Sequence, residues 1–176
     1  LLRLASNAGV PYAALTAQSE NEDGVRRALD ELLPLAEELG VTLLIKTSGI
    51  YADTARLRAL LDSFASDSLG ALWDVHHPYR DKGESPDGTI KSLGAYIRHV
   101  HLRDSDDRGA YQLIGEGTLP IKEVMRALSS VNYDAYLSLE WKPEWLAELQ
   151  ERDVIFPYFV NYMSRFGSTR GMKKSL

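Results

Sequence analysis

The 176 residues include four histidines, and all four sit at the ends of two short apolar runs, "LWDVHHPYR" and "IRHVHLRD". Two further runs end on a charge, "VTLLIK" on Lys46 and "AYLSLE" on Glu140. Alternation of period two puts His99 and His101 on one face of their run, with Arg98, Val100 and Leu102 on the other. By the same rule Ser138 shares a face with Glu140, and Leu44 with Lys46. If the runs lie side by side, Asp74, His101 and Glu140 bring two carboxylates and an imidazole to one place. That donor set suits a hard-leaning divalent metal or a proton transfer. His99, one layer below His101, reads as a hydrogen-bonded support.

The elements between these runs say how they are held. "PYAALTA" (11–17), "VTLLIK" (41–46), "GALWDV" (70–75), "IRHVHL" (97–102) and "AYLSLEW" (135–141) read as strands. Helical spacing separates them. It covers 23–39, where Gly40 is suited to follow the helix and Pro34 to kink it, and 54–65 behind an Asp53 or Thr54 cap. It recurs after Ser85-Pro86, over 119–130, and in a last stretch from 143 to 166. The chain opens on what reads as the end of a helix. Strands that are continuous apolar runs, each followed by a helix, predict a parallel α/β sheet with its polar groups at the C-terminal strand ends. Such an order fits an open doubly wound sheet or part of a (β/α)8 barrel. No glycine-rich phosphate loop follows any strand, which removes the main sequence support for a nucleotide-binding sheet.

Composition narrows the chemistry. With no cysteine, thiolate metal sites, disulfides and thiol nucleophiles are excluded. A net charge of -5 argues against a broad nucleic-acid or acidic-membrane surface, and no apolar run reaches the roughly 18 residues of a membrane helix. The expected setting is therefore cytoplasmic, with a small-molecule partner. A homo-oligomer is compatible with the sequence, which does not specify one. The charge runs "AEEL" and "DSDDR" read as solvated faces or loops.

Taken in order, "LWDVHHP", "YIRHVHLRDSD", "LIGEGTLPIKEVMRAL" and "YDAYLSLEW" resemble the late-strand motifs of the sugar phosphate isomerase/epimerase superfamily, the xylose-isomerase-like TIM barrels. The resemblance implies a (β/α)8 barrel of which this chain supplies strands 4 to 8. Residues 1–166 would form the partial barrel and 167–176 a flexible tail or linker. A complete barrel takes about 250 residues, so a fragment, or part of a longer fused protein, is the expectation. It also implies a divalent metal (Mn, Mg, Co or Zn) with Asp74, His101 and Glu140 among its ligands. His77, matching the histidine of D-x-x-H, would touch substrate. Arg103 and Glu116 are further candidates for substrate binding at the barrel mouth, and Asp104, beside Arg103 at the strand exit, could bind a substrate group or pair with loop charges.

One position departs from that pattern. Where the family places its first metal-ligand Glu, this sequence has Lys46, and a charged ammonium offers donors only. Three outcomes stand open. Burial could deprotonate Lys46, making it a base or ligand. Its charge could replace the metal by pairing with Asp74 and Glu140. Or the site could be inactive. The expected function is metal-assisted isomerisation or epimerisation of a small sugar or polyol through an enediolate, with Glu140 and Lys46 as the catalytic pair. The alternatives are a degenerate, non-catalytic barrel module, a dehydratase or lyase using the same site, and an apurinic endonuclease, the last disfavoured by the charge.

Overall fold

In the computed structural model, residues 1–17, 21–142 and 152–166 are described. A short helix α1 (Leu2–Asn7) leads into β1 (Tyr12–Leu15), α2 (Glu22–Leu39) and β2 (Thr42–Lys46). A 3-10 turn (Gly49–Ala52), α3 (Thr54–Phe64), β3 (Leu69–Asp74), α4 (His76–Lys82) and α5 (Pro86–Leu93) follow. Then come β4 (Ile97–Leu102), a small antiparallel pair β5 (Asp104–Ser105) and β6 (Tyr111–Gln112), α6 (Ile121–Ser130), β7 (Leu137–Leu139) and α7 (Arg152–Ser164). The five strands expected from the sequence form one parallel sheet in the order β1-β2-β3-β4-β7, a half-barrel.

The helices start and stop where side chains can satisfy their free backbone groups. The Asn21 side chain accepts the Gly24 amide of α2, Asp53 accepts the Ala55 and Arg56 amides of α3, and Ser85 accepts the Gly88 amide of α5. Helix α2 ends at Gly40, whose φ of 64° lies in the left-handed region that costs glycine nothing. Pro34 stands inside α2, which runs on to Leu39, so the proline does not end the helix.

The two faces of the sheet differ. Ala13, Leu43, Ile45, Ala71, Trp73, Val100 and Leu102 pack with Leu29, Leu33, Leu57, Leu61, Leu93 and Leu128 of the helices into the main core. The other face carries Leu44 and Leu72, both buried, then Lys46, Asp74, His99, His101 and Ser138 toward the strand ends.

Which face the histidines take depends on a bulge. Ala71 pairs with Ile97, but Leu72 pairs with His99, so Arg98 is an extra residue in β4. A one-residue slip moves every later side chain to the other face. Without it, His99 and His101 would point into the apolar core. With it, His99 lies beside Leu72 and His101 beside Asp74. Gly70 accommodates the irregularity, since a Cβ there would lie 2.9 Å from the Tyr96 carbonyl and 3.1 Å from Arg98 Cγ.

Two expectations shift in position. The last strand is shorter than "AYLSLEW", leaving Glu140 one residue past β7. Its amide still donates to the Leu102 carbonyl at 2.9 Å, extending the alignment with β4. The last helical stretch is seen as α7, whereas 143–151 and the expected tail 167–176 lie outside the described residues. No helix among the described residues is long and apolar enough to cross a membrane.

Candidate active site

The C-terminal ends of β2, β3, β4 and β7 converge on one charged cluster. Lys46 Nζ donates to Glu140 Oε1 at 2.8 Å and Oε2 at 2.9 Å, and lies 2.9 Å from Asp74 Oδ2. Arg103 grips Asp74 side-on, Nε to Oδ1 at 3.2 Å and Nη2 to Oδ2 at 2.7 Å, and its Nε lies 3.8 Å from Glu140 Oε2. The Asp74 side chain is fully buried and that of Arg103 nearly so, while Lys46 and Glu140 keep a narrow solvent edge.

Backbone geometry fixes these groups before their charges meet. Thr47, directly after β2 and fully buried, accepts the Asp74 amide at 2.9 Å and donates to the Asp74 carbonyl at 3.1 Å. One hydroxyl thus ties the end of β2 to the end of β3. Asp74 Oδ1 also accepts the His76 amide at 3.1 Å, so the carboxylate orients the start of α4 as well. On α4, His77 and Asp81 lie one turn apart and hydrogen-bond through His77 Nδ1 at 2.8 Å, leaving Nε2 3.8 Å from Asp74 Oδ2.

The histidines divide by environment. His99 Nε2 pairs with Ser138 Oγ at 2.9 Å, the supporting role expected for it. Burial, with the neighbouring His101, lowers its pKa to about 4. His76 is also lowered to about 4, by burial and then by the charge of Arg103, and neither of its ring nitrogens has a hydrogen-bond partner. His101 Nδ1 is buried without a hydrogen-bond partner, 3.7 Å from Glu140 Oε2. Burial of Glu140 works to raise its pKa, but contacts with His101, Lys46 and Arg103 outweigh that and hold the carboxyl well below the usual range.

A Xylose isomerase-like TIM barrel family model matches residues 3–155. The chain belongs to the xylose isomerase-like TIM barrel family. Fructoselysine 3-epimerase of Escherichia coli O157:H7 is 30% identical over 118 residues, covering 64% of this chain and 42% of that protein. A putative hydroxypyruvate isomerase of Streptomyces coelicolor is 33% identical over 72 residues, 41% of this chain and 24% of that one. The chain thus spans less than half the length of these curated relatives. Among solved structures, D-allulose 3-epimerase from Methylomonas sp. in complex with D-allulose superposes with a TM-score of 0.76 at 12% identity, covering 93% of this chain and 65% of that one. A probable 3-DHS dehydratase from Bacillus anthracis gives 0.71 at 14%, covering 93% and 67%. The fold is thus shared by epimerases and a dehydratase.

The cluster brings together Lys46, Asp74, His77, His101, Arg103 and Glu140. Glu116 is held elsewhere, accepting a hydrogen bond from Tyr158 of α7. The divalent metal expected from the resemblance does not fit this arrangement. Both Asp74 oxygens and both Glu140 oxygens already face Lys46 or Arg103, and among the described residues no group of three or more His, Asp or Glu side chains is set to hold a metal ion. Of the three outcomes left open for Lys46, the geometry matches the second, an ammonium paired with Asp74 and Glu140.

Sequence reasoning missed two contributors. Thr47 is one. Tyr111 is another, accepting from Arg103 Nη1 at 3.2 Å with its ring 5.4 Å from the guanidinium. Asp104, named from the sequence for a substrate group or loop charges, is instead buried and accepts the amides of Ser105, Gly115, Gly117 and Leu119. It fastens the loop that carries Glu116. Here "GEG" has a structural reason, because a Cβ at Gly117 would overlap the Asp104 carboxylate. The offset of 11 to 15 residues between Asp104 and the amides of Gly115, Gly117 and Leu119 carries no periodic signal.

Proposed function

We propose that this chain carries the active-site half of a barrel that isomerises or epimerises a small sugar or polyol. The observation that supports it is the meeting of Lys46, Asp74, Glu140 and His77 at the C-terminal strand ends, where barrels of this kind keep their chemistry. The related epimerase and putative isomerase support the same reading of the reaction class.

In this reading Glu140 removes a proton from the carbon next to the substrate carbonyl. The C–H electron pair moves into the new C=C bond, and the carbonyl oxygen takes up negative charge near Lys46 and Arg103. Returning the proton to the former carbonyl carbon, while the hydroxyl proton of the carbon that lost it passes to the former carbonyl oxygen, gives the isomer. Delivery of a proton to the opposite face by Lys46 as the second acid gives the epimer. A carboxyl held so acidic is a weak base, so Glu140 gains strength only when substrate hydroxyls take over its contact with Lys46. His77, braced by Asp81, binds a substrate hydroxyl, and Arg103 serves through Asp74 and Tyr111. A dehydratase would begin with the same proton abstraction.

A second reading, a sugar-binding module without turnover, is favoured by the pairing of the Lys46 ammonium with both carboxylates of the site. Ketoses, aldoses and fructosamines incubated with the chain in deuterated water separate the two by NMR. The activity reading expects deuterium at the carbon next to the carbonyl, together with epimer or isomer, both lost in Glu140→Gln. Saturable binding without exchange would support the module, and neither binding nor exchange across the panel would refute both.

A further inference from the structure

Every carboxylate oxygen of the site faces at least one of this chain's own cations. Asp74 Oδ1 faces Arg103 Nε and the His76 amide, and Oδ2 faces Lys46 Nζ and Arg103 Nη2. Both Glu140 oxygens face Lys46. Asp74 and Glu140 lie at the ends of β3 and β7, with β4 between them, and Lys46 spans that gap from β2. Its backbone is held in register with Leu72 and its side chain is only 14% exposed.

We infer that Lys46, supported by Arg103, is a resident counter-cation standing where this barrel would otherwise hold a divalent metal, and that reversing the charge at position 46 reopens the site to metal. The inference concerns the same site as the proposed activity but does not depend on turnover. Charge accounting carries it. Two cations face two carboxylates, so a divalent ion entering beside Lys46 and Arg103 would meet uncompensated positive charge and only carboxylate oxygens that already face a cation. His101 supplies a second observation. Nδ1 is buried without a hydrogen-bond partner beside Glu140, which leaves an imidazole donor on the cage. A carboxylate at position 46 would complete two strand-end carboxylates and this imidazole into a four-residue donor set of the kind hard divalent ions take.

The test is a titration of the full chain with Mn²⁺ by calorimetry and with Co²⁺ by its visible absorption. The native chain is expected to show no saturable transition. Lys46→Glu is expected to gain one that disappears in Lys46→Glu/His101→Ala. Should Lys46→Glu fail to fold by circular dichroism, Lys46→Gln, which removes the charge alone, is expected to show weaker but saturable binding. Stoichiometric metal binding by the native chain, lost in Asp74→Asn, would overturn the inference. So would a folded position-46 variant that binds no more metal than the native chain. Because these readouts involve no sugar, absent turnover would refute the proposed activity and leave this result standing.

Discussion

Arg103 and Asp74 meet through two parallel hydrogen bonds, of 2.7 and 3.2 Å, with the carboxylate fully buried and the guanidinium nearly so. This fork geometry makes an arginine–carboxylate pair directional. It also sets the orientation in which Asp74 receives Lys46.

Removing one partner of a buried pair strands the other. Arg103→Ala is expected to destabilise the chain by about 3 kcal/mol, the low end of the usual range because Lys46 still faces Asp74. Arg103→Lys should recover only part of that, since one ammonium cannot span both oxygens. Urea unfolding of Arg103→Ala, Asp74→Ala and the double variant measures the coupling, and costs that simply add would contradict the contact.

The contacts on Glu140 predict the sign of an acid effect. Its folded pKa is lowered, so its contribution to stability is present above the unfolded value of about 4.5 and fades as pH falls below that. Lys46→Met removes an opposing charge and leaves two carboxylates near one another. The variant should therefore be less stable than the native chain at pH 7, with the gap narrowing below pH 4.5. Thermal melts across this window check the prediction, and a constant gap would rule it out.

His76 and His99, both lowered to about 4 from 6.5, act in a different window. The unfolded chain takes up protons at these rings first as pH falls through 6.5, so stability drops between 6.5 and about 4 and then levels. Imidazole resonances of the folded chain should show no titration for these two rings until near pH 4. His99→Gln should flatten part of the loss while keeping a group able to bond Ser138.

Asp104 accounts for the fourth prediction. Asp104→Ala leaves the amides of Gly115, Gly117 and Leu119 without their acceptor, so their hydrogen exchange should accelerate while that of β2 and β3 is unchanged. Gly117→Ala should cost about 1–3 kcal/mol through overlap with the same carboxylate. Protection at those amides that survives Asp104→Ala would show the loop to be held by other contacts.

Much of the architecture was legible because burial writes itself into composition. Runs such as "TLLIK" and "LGALWD" are apolar on both faces and could only be interior strands, and the caps at Asp53 and Ser85 are local chemistry. The position of the site was legible because Lys46, Asp74 and Glu140 are charges that an apolar strand would otherwise exclude. Helix α4 was not, since "HHPYRDK" lacks apolar periodicity and is held partly by the Asp74 contact with its first amide. The bulge at Arg98 was equally hidden, because alternation within one strand says nothing of its register against the next. Glu116 looked like a mouth residue from its glycine neighbours, yet those glycines serve Asp104.

The four charges of Lys46, Arg103, Asp74 and Glu140 sum to zero within a few ångströms of one another. A neutral group of this kind has a field that dies away much faster with distance than that of a bare carboxylate cage. The cluster itself therefore neither draws in nor turns away a ligand from afar, and its part in recognition begins only at contact. Association rates of uncharged sugars at this site should be nearly independent of ionic strength, and selectivity should reside in how quickly the wrong sugar leaves.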